Sequence, residues 1–106
     1  VLGFNRAVTA PYVVTEIDSE TGALFAMNPL DAEFGQRIAF FDLGGRQTST
    51  TSDRGEFLGR NGSLEKPGAV FRAGGLSGAS GAGMDPCGAM QTEFTVAAGE
   101  TAEVLI

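Results

Sequence analysis

Asp53 and Glu56, with Arg54, Arg60 and Asn61 around them, are the residues of this 106-residue chain whose types and spacing could do chemistry. An aspartate followed three residues later by a glutamate has the spacing of a capping box. The aspartate accepts from the free amides of a first helical turn, and the glutamate reaches back to the N-cap amide. Phe57 and Leu58 supply a short apolar face, and Gly59 or Gly62 offers a left-handed exit. The run 53–62 therefore reads as a helix of one or two turns set among strands. Arg54, Arg60 and Asn61 carry donors suited to sugar hydroxyls or to phosphate. A plainer reading uses the same residues: each arginine bridges a carboxylate or caps the helix C-terminus, and Phe57 pins a mere connector to the core. Residue chemistry leaves both readings open.

Other combinations are weaker. Glu16 and Asp18 have the spacing that puts two carboxylates on one face of a strand. Such a pair cleaves glycosides only where one is desolvated and both flank a sugar. Nothing in the sequence encloses them, and Asp18 opens a turn, where aspartate is expected anyway. Asp31 with Glu33, and Glu100 with Glu103, read as solvated loop and edge charges. The chain has no histidine, which excludes Ser-His-Asp and Cys-His nucleophiles and histidine metal sites. No stretch has the ligand spacing of a calcium loop. We therefore assign no catalytic residue, no metal and no cofactor. The glycines at 74, 75, 78, 81 and 83 share the composition of a phosphate loop. A strand rather than a helix is expected after them, and no lysine is in place, so they read as positions of close backbone packing.

Composition narrows the partners. Thirteen acidic residues against seven basic ones give a net charge of −6, which disfavours nucleic acid and anionic membranes, since both reward a basic face. No apolar run approaches the roughly 20 residues that span a bilayer, and no signal-peptide pattern is visible. Cys87 is alone, so no intrachain disulfide can form, and a buried, inert thiol beside Pro86 is expected. The length suits one domain. The chain begins at Val1 in mid-pattern, so residues 1–106 are expected to be a single domain or a fragment of a larger multidomain protein.

The elements that must position these residues are mostly strands. Val1 to Pro11 reads as an extended lead-in. Tyr12 to Ile17 is rich in β-branched residues, 18–22 carries turn chemistry, and Ala23 to Met27 returns, so a hairpin is expected. Pro29 ends it. Ile38 to Leu43 is the strongest strand, apolar on both faces, which implies burial of both or a neighbouring domain over one. Gly44-Gly45 predicts a tight turn, with Arg46 to Ser52 pairing back and its Thr48, Thr50 and Ser52 face near water. Residues 61–75 look irregular, with Val70-Phe71 anchoring a short extended piece. The glycine-rich run 76–83 is expected to fold tightly against the sheet. Met90 to Val96 and Ala102 to Ile106 alternate with period 2 and predict a terminal hairpin. Six or so strands and one short helix make an all-β fold, an antiparallel β-sandwich.

Three stretches carry a family resemblance. Gly45-Arg46-Gln47-Thr48 with the run from Asp53 to Arg60, then Leu76-Ser77-Gly78 to Gly83-Met84-Asp85-Pro86-Cys87, and Thr15-Glu16-Ile17-Asp18 to Thr21-Gly22-Ala23-Leu24, occur in matching order. The chain resembles the cyclic β-1,2-glucan synthases and the related cellobiose and chitobiose phosphorylases of glycoside hydrolase family ninety-four. The resemblance implies part of the supersandwich domain that precedes an (α/α)₆ catalytic barrel. In that family the barrel carries the general-acid carboxylate for inverting phosphorolysis of a β-glucosidic bond, so these residues are expected to be noncatalytic. Their implied role is to support the barrel, contribute to homodimer contacts and help shape a glucan or phosphate site, with Arg54, Arg60 and Asn61 as ligand-binding candidates. The implied location is the cytoplasm, with the parent protein anchored in the inner membrane. Two other readings stay open: an autonomous carbohydrate-binding module and a ligand-free interaction domain. The first lacks aromatic platforms, since there is no tryptophan, only Tyr12, and eight phenylalanines in core-like strand positions.

Overall fold

The computed structural model describes residues 12–30 and 36–106. The expected lead-in and the Asp31–Glu33 pair lie outside them. Strands β1 (Val14–Ile17), β2 (Leu24–Met27) and β3 (Ile38–Phe41) form an antiparallel sheet in that order. Asp18 makes the first turn: its Oδ2 accepts from the Thr21 amide at 2.7 Å and the Thr21 hydroxyl at 2.5 Å. The Gly22 amide then closes on the Asp18 carbonyl at 2.8 Å. That register sets Glu16, Phe25 and Phe40 side by side on one face, and Thr15, Ala26 and Ala39 on the other.

A second antiparallel sheet pairs β4 (Ser49–Asp53) with β5 (Pro86–Gln91). Helix α1 (Arg54–Leu58) follows β4 directly, and α2 (Gly68–Phe71) comes after it. Here the structure departs from the expected pairing of Ile38–Leu43 with Arg46–Ser52. The partner of β3 is β2, and the strand after Gly44-Gly45 crosses to the other sheet. Gln47 explains the departure, because it pins the connector across the end of the first sheet. Its Oε1 accepts from the Leu43 amide at 3.3 Å, while Nε2 donates to Asp42 Oδ1 at 2.8 Å and to the Thr21 carbonyl at 2.7 Å.

The hydroxyl-rich strand, expected near water, is instead the most enclosed segment among the described residues. Thr51 and Ser52 are fully buried and Thr50 nearly so. Such burial is tolerated when the hydroxyls are bonded. Ser52 Oγ sits 2.6 Å from Thr15 Oγ1 of the first sheet and donates to the Ala79 carbonyl at 2.9 Å. Apolar contact between the sheets centres on Gly88, where a Cβ would lie 3.3 Å from Leu24 Cδ2 and 3.5 Å from Phe41 Cδ1. Among the described residues, Val13, Ala23, Leu24, Leu43 and Ala89 are the buried apolar ones.

Three further expectations need correction. Val70 and Phe71 lie in α2 rather than in an extended piece, so two short helices, not one, occur among the described residues. Phe57 is only half-buried and no residue of α1 is buried, so polar contacts rather than an aromatic anchor hold that helix. The terminal hairpin is not formed: β5 ends at Gln91, and Phe94, Val96, Leu105 and Ile106 are exposed. A period-2 pattern makes a stable strand only against a third strand or a packing face, and this tail has neither among the described residues. A turn survives where Glu100 bonds Ala97, and Arg46 Nη1 ties down the Glu103 carbonyl at 2.9 Å.

The glycine-rich run does fold against the sheet. The Gly78 amide donates to the Thr50 carbonyl and the Ser52 amide to the Ala79 carbonyl, each at 2.8 Å. Thr15 then bridges to Gly81 in the antiparallel sense, joining the run to the first sheet.

Candidate functional site

Helix α1 is capped as its sequence predicts at one end. Asp53 Oδ1 accepts from the Gly55 amide at 2.9 Å and the Glu56 amide at 3.4 Å. The other half of the capping box is rerouted. Thr51 Oγ1 accepts from the Asp53 amide at 3.2 Å and donates to Glu56 Oε2 at 2.6 Å, so a hydroxyl stands between the glutamate and the N-cap amide. Glu56 turns its remaining capacity outward: Oε1 accepts from the Ser77 amide and Oε2 from the Ser77 hydroxyl, both at 2.7 Å. Loss of water around this carboxyl pushes its pKa up. The bonds from Thr51 and Ser77 and the nearby Arg72 charge outweigh that push, and the pKa lies below the usual glutamate range. The group is thus ionised at neutral pH and accepts three hydrogen bonds within the fold, which leaves it unsuited to deliver a proton. Asp18 is similarly committed: the bonds from Thr21 hold its pKa down in the turn, which removes it from any pair with Glu16.

The three candidate ligand residues are divided by α1. Arg54 opens the helix with Nε 4.0 Å from Asp85 Oδ2, and its amide donates to the Asp85 carbonyl at 2.9 Å. Arg60 and Asn61 stand exposed beyond Gly59, whose φ of +74° ends the helix. Arg54 thus stands at the start of the five-residue helix, and Arg60 and Asn61 follow its end. The capping role expected of Arg60 belongs to Arg72, whose Nη2 donates to the Glu56 carbonyl at 2.7 Å. Thr51, Arg72 and Ser77 are the participants that sequence reasoning missed. No spacing rule links Glu56 to residues 16 and 21 positions downstream.

Two apolar features accompany this polar locus. A cavity of about 260 Å³ lies between the sheets, lined by Val13, Thr15, Leu24, Phe41 and Cys87 among others. Cys87 is half-buried rather than enclosed. The outer face of the first sheet carries Val14, Phe25, Met27, Ile38 and Phe40, with Glu16 at one corner. The Phe25 and Phe40 rings meet at 6.5 Å between centroids and 39° between planes. Ile38 is 56% exposed and Phe40 74%, so the expected burial of both faces of β3 does not occur within this chain. No group of three or more acidic or cysteine side chains that could hold a metal occurs among the described residues.

The family model described as the supersandwich domain of glycosyl hydrolase 94 matches residues 1–106. The chain belongs to the glycosyl hydrolase 94 supersandwich family. Two antiparallel sheets with few short helices are consistent with a supersandwich domain. The supersandwich chain is also 40% identical over 104 residues to the cyclic beta-(1,2)-glucan synthase NdvB of Rhizobium meliloti (strain 1021). The match takes in 98% of the supersandwich chain and 4% of that synthase. The same residues that carry the family resemblance, from Thr15 through Cys87, build the first hairpin, the capped helix and the run between the sheets.

Proposed function

We propose that this domain is a noncatalytic support in a cyclic-glucan-synthase-like carbohydrate-active protein. It holds a catalytic barrel contributed by the rest of that protein and offers surface for homodimer contacts. The observation that carries the reading is the outer face of the first sheet. Val14, Phe25, Met27, Ile38 and Phe40 form one apolar face of a regular sheet, in a chain whose net charge is −6. Such a surface is the mark of an interface. The carboxylates agree: Glu56 and Asp18 are ionised and bonded within the fold, and neither is paired with a second carboxyl across an open sugar site. Arg54, Arg60 and Asn61 then act, if they meet glucan or phosphate, at the rim of a site completed by the barrel. The cytoplasmic face of the inner membrane is the location that this reading assigns to the parent protein, and no helix among the described residues is long and apolar enough to cross a membrane.

Calorimetric titration of the 106-residue domain with β-1,2-linked gluco-oligosaccharides, combined with a phosphorolysis assay, separates the alternatives. The expected result is no binding heat at millimolar sugar and no turnover. Binding at millimolar or tighter affinity would make the domain an autonomous carbohydrate-binding module. Turnover by the domain alone would overturn the noncatalytic role.

A further inference from the structure

We infer that segment 76–81 is a latched strap guarding one edge of β4, and that the Glu56 carboxylate is its latch. This inference is independent of the proposed supporting role. One edge of β4 is paired with β5, and the strap covers the other. It does so through the Gly78 amide on the Thr50 carbonyl and the Ala79 carbonyl on the Ser52 amide. An uncovered edge is a template for pairing with another chain, so something must occupy it.

Two side-chain bonds from β4 add to these: Ser49 Oγ accepts from the Leu76 amide and Ser52 Oγ donates to the Ala79 carbonyl, each at 2.9 Å, but apolar burial adds little. None of its residues is buried. Gly78 and Gly81 have φ of +79° and +122°, and a Cβ on either would meet nothing within 4 Å. These glycines therefore serve backbone shape rather than packing, and they maximise the entropy gained on release. A segment with few apolar contacts opens locally at a cost set by its polar bonds. Glu56 supplies two of those bonds through the amide and hydroxyl of Ser77. The same carboxylate is held by Thr51, fully buried in the very strand that the strap covers. Bonds to a carboxylate are about twice as strong as neutral ones, so this one side chain outweighs any single ladder bond of the strap. The far end is fastened separately, where Gly81 exchanges bonds with Thr15.

Hydrogen–deuterium exchange on the 106-residue chain tests this. In Glu56→Gln, which keeps the size and removes the charge, exchange of the Ser77, Gly78 and Ser52 amides is expected to rise about tenfold or more. Exchange within the β1–β2 hairpin should stay within about twofold of the parent chain. Ser77→Ala, which removes only the hydroxyl bond, should give a smaller rise at the same amides. Unchanged exchange at residues 77 and 78 in both variants would overturn the latch. An equal rise in the hairpin would overturn it as well, because the carboxylate would then stabilise the whole fold rather than the strap.

Discussion

Gly62→Ala is expected to destabilise the domain by about 3 kcal/mol, at the upper end for overpacking. A Cβ at Gly62 would lie 1.6 Å from the Leu58 carbonyl oxygen, 2.8 Å from the Leu58 carbonyl carbon and 2.9 Å from the Gly68 amide nitrogen. All three neighbours are backbone, so no rotamer change relieves the clash. The chain must instead move the end of α1 away from the start of α2. Gly68 is under the same constraint, since its own Cβ would come within 2.9 Å of the Leu58 carbonyl oxygen. Two glycines thus let the segment after α1 return against the last helical carbonyl. Urea denaturation with an unchanged m-value would measure the loss. A change below about 1 kcal/mol would show that the 58–68 contact is not made.

Leu24→Ala should cost about 2–3 kcal/mol, the lower part of the range for truncating a buried leucine. Leu24 is 4% exposed, pairs with Ile17 and Phe41 in register, and touches the point where Gly88 brings the second sheet close. It also lines the inter-sheet cavity of about 260 Å³. That existing space means fewer neighbours are lost than in a densely packed core, which keeps the cost from the top of the range. Phe40→Ala supplies the contrast. Phe40 is the larger side chain, yet at 74% exposed it should change the stability of the isolated domain by less than about 0.5 kcal/mol. Equal losses at the two positions would show that the two sheets do not pack as described.

The contrast between Leu24 and Phe40 also marks what can be read from residue order. The β1–β2 hairpin is legible because its turn is closed locally, by Asp18 and Thr21 three residues apart. The N-cap at Asp53 is legible for the same reason. The glycine-rich run is recognisable as a loop laid on the sheet because a strand, β5, follows it, but most of its glycines are not positions of close packing: those at 74, 78, 81 and 83 have positive φ, and a Cβ there would meet nothing within 4 Å. Partners far apart in the chain are not legible. The apolar run Ile38–Phe41 identifies a strand but cannot say that β2 fills its ladder, and Gly44-Gly45 looks the same whether or not the next strand stays in the sheet. Thr50, Thr51 and Ser52 read as a wet face because burial of hydroxyls depends on remote acceptors, here Thr15, Glu56 and Ala79. The tail from Thr92 has a clear period of 2, but period alone does not supply a surface for its apolar side to meet. At the polar locus, residue types point to Arg54, Arg60 and Asn61, whereas the bonds converge on Glu56 with Thr51 and Ser77.

Those exposed apolar side chains of β3 bear most directly on the domain's role. In a Cys87→Ser background, Phe40→Cys places a single thiol on the outer sheet face, at its β3 edge, where maleimide labelling can be timed. In the isolated domain the thiol should react at the rate of an exposed cysteine. In the full-length protein carrying the domain, labelling should slow by more than about tenfold, because the face is covered by its neighbour. Equal rates in the two settings would contradict the supporting role, leaving the apolar face bare in the assembled protein.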